Sequence, residues 1–110
     1  YVNFFVRGYG TANTFVNIEI KEDDNNNGAH DESSEDSFGY RYQVPTTATS
    51  WQKVSIPLSK LLAEANAAGN GKMEISKISN VYIMLFSNGI ETTKLACDID
   101  FIIITQGKPL

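Results

Sequence analysis

The sequence predicts an all-β fold: an antiparallel two-sheet β-sandwich of the jelly-roll kind with one short helix. Two observations predict it. Apolar and polar residues alternate with a period of two through successive runs of about five to eight residues, as half-buried antiparallel strands require. Clusters of Gly, Asn, Asp and Ser separate those runs, and a single segment has helix-forming composition.

Residues 1–7 set Val2, Phe4 and Val6 against Asn3, Phe5 and Arg7, and Gly8-Tyr9-Gly10 ends the run. Residues 15–21 place Val16, Ile18 and Ile20 opposite Asn17, Glu19 and Lys21. Residues 22–37 form a polar, acidic loop. Residues 38–44 group Phe38, Tyr40, Tyr42 and Val44 opposite Arg41 and Gln43, and Pro45 stops them. Further strands are predicted at 51–56, 81–86 and 94–105, the last long enough to bend. Between them, Pro57-Leu58-Ser59 leads into residues 60–68, which read as a short helix closed by Gly69, with Leu58, Leu61 and Leu62 on a face that seals one end of the sandwich. A length of 110 residues fits one domain spanning 1–110. Its opening in mid-strand predicts that the complete domain has further N-terminal strands outside this chain.

Composition excludes several classes of function. The chain is 42% hydrophobic and 20% charged, so it can bury a core and is not disordered overall. A formal charge of −4, with nine scattered basic residues, disfavours nucleic acid, which needs clustered cations against its phosphates. No apolar run approaches the roughly 20 residues of a helical membrane span. One cysteine, Cys97, rules out an internal disulfide; its alternation with Leu95 and Ile99 predicts a small buried hydrophobe.

Catalytic groupings are missing from the pattern. The only histidine, His30, falls in the polar loop, away from any activated nucleophile, and no HExxH, Gly-rich phosphate loop or Cys/His metal spacing occurs. Carboxylates are plentiful, but most lie in the loop, where a solvated setting would raise no pKa. The sequence therefore predicts a domain that is not an enzyme.

Two constellations remain as binding candidates. Asp23-Asp24-Asn25-Asn26-Asn27-Gly28 reproduces the opening of a D-x-N-x-N-G calcium loop, where alternate residues supply oxygens and Gly permits the bend. Position twelve is Ser34 in place of a bidentate carboxylate, and the flanks are strands. The sequence favours a solvated hairpin loop, with calcium on Asp23, Asn25, Asn27, Asp31 and Asp36 as the alternative. The second candidate is a sheet face. If the strands at 15–21, 38–44 and 81–86 share a sheet, Asn17, Glu19, Arg41, Gln43, Tyr82 and Met84 lie on the side away from the core. An aromatic ring among planar polar side chains suits a shallow glycan platform; the alternative is that Tyr82, Met84 and Phe86 pack under a loop or further strands. Trp51 is assigned to core or edge packing, because it opens a strand running into Pro57.

Three blocks carry a family resemblance. Ile18-Glu19-Ile20-Lys21-Glu22-Asp23-Asp24 with Asn27-Gly28 and Asp36-Ser37-Phe38, then Trp51-Gln52-Lys53-Val54-Ser55-Ile56-Pro57-Leu58-Ser59, then Ile99-Asp100-Phe101-Ile102, resemble in order the galactose-binding-like carbohydrate-binding modules. The tail Thr105-Gln106-Gly107-Lys108-Pro109 is similar to domain endings in surface glycan-handling lipoproteins of gut Bacteroidetes. The resemblance implies a jelly roll that binds polysaccharide or glycan, with extracellular, periplasmic or cell-surface location and neighbouring domains in a larger chain. It implies that no cofactor is required and that a structural calcium is often present, with Asp100 matching the closing-strand ligand. The competing expectation is a structural or interaction sandwich that supports an adjacent catalytic or sensor domain and has no sugar site.

Overall fold

The computed structural model describes residues 1–64, 69–87 and 97–110. Strands dominate: β1 (Val2–Gly8), β2 (Thr14–Glu22), β3 (Ser37–Gln43), β4 (Gln52–Ile56), β5 (Leu62–Ala63), β6 (Ile78–Ser87) and β7 (Cys97–Ile104). They form a three-stranded sheet of order β4-β1-β7 and a four-stranded sheet of order β5-β3-β2-β6. The fold is all-β with two antiparallel sheets, consistent with the two-sheet sandwich that the alternation predicts. The part of the predicted last strand at 94–96 lies outside the described residues. No helix among the described residues is long and apolar enough to cross a membrane.

The described chain groups into two compact units. One comprises Tyr1–Val16, Tyr42–Lys60 and Leu85–Leu110; the other comprises Asn17–Arg41 and Leu61–Met84.

In the first unit, β1 is the central strand of its sheet. It pairs antiparallel with β4, Phe4 facing Val54, and with β7, Arg7 facing Asp98. Val2, Phe4 and Val6 are fully buried, and Val54 and Ile56 join them, as the period-two pattern requires. Phe4 meets the Tyr42 ring edge-on, with centroids 5.9 Å apart. Asn3 is the polar exception in this buried strand. Its Nδ2 donates to the Ile103 carbonyl (3.2 Å) and Thr105 Oγ1 (3.0 Å), and its Oδ1 accepts from the Leu110 amide (3.1 Å). A buried amide is tolerated because its groups are satisfied.

The β1–β7 register slips between Asn3 and Phe5, where β7 carries one extra residue, the geometry of a β-bulge. Phe101 sits there with φ of 54°, a conformation that disfavours a bulky side chain. The Asp100 carboxylate accepts the Phe101 amide at 2.7 Å, which helps to hold the turn.

In the second unit, β2 buries Ile18, Ile20 and Glu22 on alternate positions. The predicted helix is corrected here. Leu58–Lys60, which ends a segment of the first unit, is one 3-10 turn, and in the second unit Leu62–Ala63 is a strand paired antiparallel with β3, Gly39 facing Leu62. Edge pairing with β3 overrides helix propensity, and the Glu64 amide extends it to the Ser37 carbonyl. Leu61 is buried and Leu62 exposed, because neighbours in an extended chain point to opposite sides. Residues 65–68 of that prediction lie outside the described residues. A further 3-10 turn, Ile75–Lys77, leads into β6, which the pattern placed three residues later. Leu85, on the side opposite Tyr82, Met84 and Phe86 by alternation, is exposed as well; β6 ends its sheet and has a neighbouring strand on one side only.

Candidate functional site

The predicted sheet face is partly open. Asn17 and Glu19 are half-buried on β2, and Arg41 and Gln43 are exposed on β3. On β6, Tyr82 (43% exposed) and Met84 are exposed, while Phe86 is stacked on Phe15 with centroids 5.7 Å apart. The ammonium of Lys21 lies 5.6 Å from the Tyr82 ring centre, held there by Glu19 (3.4 Å) and by Glu32. One part of the Tyr82 ring surface is thus already engaged by a cation.

A second aromatic constellation lies in the first unit, on residues assigned other roles by sequence. Strand parity explains it. Val2, Phe4 and Val6 point inward, so Arg7 points to the other side of β1, directly opposite Asp98 of β7. Val54 and Ile56 point inward from β4, so Trp51, just before that strand, shares the outward parity of Lys53. Trp51 is therefore 44% exposed, which takes it out of the core and leaves it beside the edge strand β4. The Arg7 guanidinium carbon lies 5.1 Å from the Trp51 ring centre and 5.5 Å from that of Tyr9. Arg7 Nε (3.1 Å), Arg7 Nη2 (2.5 Å) and the Tyr9 hydroxyl (2.5 Å) all donate to Asp98 Oδ2. Tyr9 is itself 57% exposed. Farther along the same sheet Phe5 meets Phe101, 6.3 Å between centroids, and Phe101 is also exposed.

These hydrogen bonds, first that from Tyr9 and then that from Arg7, hold the Asp98 carboxyl below its ordinary value of 3.8. A depressed carboxyl stabilises the folded cluster above 3.8, and the contribution is lost as pH falls through the lower folded value. The emission of Trp51, the only tryptophan, is therefore expected to stay constant from pH 7 to about 4 and to change only below that. A fluorescence transition centred above pH 5 would show that Asp98 does not hold the cluster together.

The acidic loop at 22–37 is a mostly exposed, turn-rich segment between β2 and β3, held by its own side chains. Asp23 accepts from the amides of Asn27 (3.0 Å) and Gly28 (2.7 Å). Asn25 Oδ1 accepts from Asn27 and Asn27 Oδ1 from Ala29, both at 2.9 Å. Asp31 Oδ1 accepts from the Ser33 amide and hydroxyl. The bonds from Asn25, Asn27 and Asp31 close Asx turns, and Asp23 reaches further along the loop, to the amides four and five residues on. Glu35 is buried and braces the loop from within, accepting from Asn25 N (3.1 Å) and Asp31 N (2.6 Å). His30, with its ring buried, donates from Nδ1 to the Glu22 carbonyl at 2.8 Å; a carbonyl only accepts, so Nδ1 carries the proton.

Of the loop and closing-strand residues predicted for calcium, Asp36 alone joins an acidic group. Glu22, Asp24 and Asp36 each offer an oxygen within 4.8 Å of the others. Asp23, Asn25, Asn27 and Asp31 accept backbone amides within the loop, and Asp100 belongs to the first unit, where it caps the bulge. Burial pushes the Glu22 carboxyl above its ordinary 4.5, opposed by the hydrogen bond it accepts from the Glu74 amide. Glu22 was missed because the predicted strand stopped at Lys21. Extending the parity of Ile18 and Ile20 by one step would have placed an acid at a core position.

Cys97 is half-buried, and burial followed by the charge of Asp98 raises its thiol, which disfavours the reactive thiolate. Comparison with family models finds no match, and no curated protein or solved structure is significantly similar to the chain.

Proposed function

We propose that the chain is a non-catalytic glycan-binding module of a secreted or cell-surface bacterial protein. The supporting observation is the open pair Trp51 and Tyr9 around the Arg7–Asp98 ion pair. A sugar ring has apolar C–H faces and a rim of hydroxyls. Exposed aromatic faces accept the first, and a guanidinium beside a carboxylate donates to and accepts from the second. The rings have few rotatable bonds, and Arg7 already restrains them, so little conformational entropy is lost on binding. The resemblance to galactose-binding-like carbohydrate-binding modules supports the same reading and would make the sandwich a jelly roll.

Affinity electrophoresis tests it. Across a panel of plant and host polysaccharides, at least one is expected to retard the chain, with retardation relieved by its soluble oligosaccharide. No retardation by any polymer in the panel would reject the reading. A second reading, a support domain without a sugar site, is favoured by one observation: Phe101, Ile102, Ile103 and Ile104 are all exposed on β7, at the end of its sheet. A contiguous apolar run of this kind is a surface for packing against other polypeptide.

A further inference from the structure

We propose that Glu22, Asp24 and Asp36 form a calcium-binding site in the second unit, at a place neither the D-x-N-x-N-G pattern nor the closing-strand Asp100 would put it. The inference stands independently of the sugar reading.

The site follows from strand register. Glu22 ends β2 on the same side as Ile18 and Ile20, and Asp36 precedes β3. The Glu22 amide donates to the Asp36 carbonyl at 3.0 Å, so the two residues are neighbours on adjacent chain segments. Both are fully buried. Asp24 reaches the group from the start of the loop. Its Oδ2 accepts from the Asp36 amide at 3.3 Å, and its Oδ1 lies 3.4 Å from Lys77 Nζ.

Each buried carboxylate is held by one oxygen and leaves the other over. Glu22 Oε1 accepts from the Glu74 amide, and Asp36 Oδ2 accepts from the Gly71 amide at 2.8 Å. Glu22 Oε2 and Asp36 Oδ1 are buried with no hydrogen-bond partner among the described residues. A buried, unpartnered carboxylate oxygen is costly, and three carboxylates this close repel one another. Among the described residues, Lys77 is the one cationic side chain in an ion pair with the three, and it is shared with Glu74 at 3.2 Å. His30 touches the Glu22 backbone without reaching its carboxylate. A divalent cation resolves both deficits at once.

Size and chemistry select calcium. All-oxygen, carboxylate-rich donors suit a hard cation, and Ca2+ takes ligands at about 2.3–2.6 Å, so opposite ligands lie about 4.6–5.2 Å apart. The three oxygens, all within 4.8 Å of one another, are close enough to share one such ion. Gly69 closes the site from another side: a Cβ there would overlap the Asp36 carboxylate. Backbone therefore packs directly on the acid group and fixes its orientation.

The test is thermal melting of the full chain after stripping with EDTA. Adding 5 mM CaCl2 is expected to raise Tm by roughly 5–15 °C, whereas KCl at matched ionic strength leaves it unchanged and MgCl2 moves it less. Glu22→Gln should melt in EDTA at or above the wild type, because a buried repulsive charge is gone, and should lose the calcium response. Asp24→Asn, at the least buried of the three positions, should fold in any case and lose most of that response. A cluster that merely shapes the loop would show neither the gain in EDTA nor the loss in calcium. An unchanged wild-type melt, an equal response to KCl or MgCl2, or a full calcium response in Asp24→Asn would each overturn the assignment.

Discussion

Trp51→Ala is expected to abolish retardation on whichever polysaccharide slows the intact chain. Truncating a central aromatic in a binding face typically lowers affinity by about 10- to 100-fold, enough to remove a shift that rests on modest affinity. Fold and binding are separable at this position. Trp51 is largely open and precedes β4, so the melt should fall by no more than a few degrees. Tyr9→Phe offers a finer probe. It keeps the ring but deletes the hydroxyl donated to Asp98, so Arg7 loses part of its restraint and affinity should drop less than in Trp51→Ala. Tyr82→Ala, in the second unit, should retain the shift. The opposite pattern, with the shift lost in Tyr82→Ala and retained in Trp51→Ala, would move the sugar site to the face around Arg41 and Met84.

Strand positions were legible because a half-buried strand writes its register into the chain. Val2, Phe4 and Val6, and then Val16, Ile18 and Ile20, alternate without a break, and all six are fully buried. The segment after Pro57 was misread for a physical reason. Leu61, Leu62, Ala63 and Glu64 are good helix formers, but β3 has an open edge there, and pairing with it decides their conformation. Propensity is local, whereas the demand of an edge strand for partners is not. Leu85 shows the same limit, since alternation gives a side chain a direction but not the number of neighbouring strands.

The candidate sites were legible in parity and hidden by where the strands were taken to end. Stopping the second strand at Lys21 left Glu22 in a loop, and treating Trp51 as an opening residue of the core ignored Val54 and Ile56, which fix it outward. What no local pattern could supply is the meeting of distant segments. Arg7 faces Asp98 across a ladder that joins residues 91 apart in sequence, and Asp36 receives the Gly71 amide 35 residues away. The acidic loop was legible as a turn-rich hairpin loop, the reading its spacing favoured. Its D-x-N-x-N-G spacing serves calcium loops and Asx turns alike, because both need short side-chain oxygens at alternate positions; here the backbone amides take them.

Phe4→Ala is expected to produce the largest loss of stability of any single substitution in the first unit, about 3–5 kcal/mol. Phe4 is fully buried on the central strand β1, flanked in register by Val54, and its ring meets Tyr42 with planes 82° apart. Truncation removes the transfer term of a whole aromatic ring, opens a cavity between well-packed neighbours, and cancels the edge-to-face contact, itself worth about 0.5–1.5 kcal/mol. Marginal domains have only about 5–15 kcal/mol in total, so the variant should melt roughly 15 °C or more below the wild type or fail to accumulate folded. Phe4→Leu keeps an apolar side chain in the site and should recover more than half of the loss, which makes the result readable if the alanine variant does not fold. Phe101 supplies the contrast within the same sheet. It is 58% exposed at the β7 bulge, so Phe101→Ala should cost about 1 kcal/mol or less. Denaturant melts of the three variants would check the ranking. Equal losses at Phe4 and Phe101 would mean that β7 is buried in solution, with its open apolar run covered by other polypeptide.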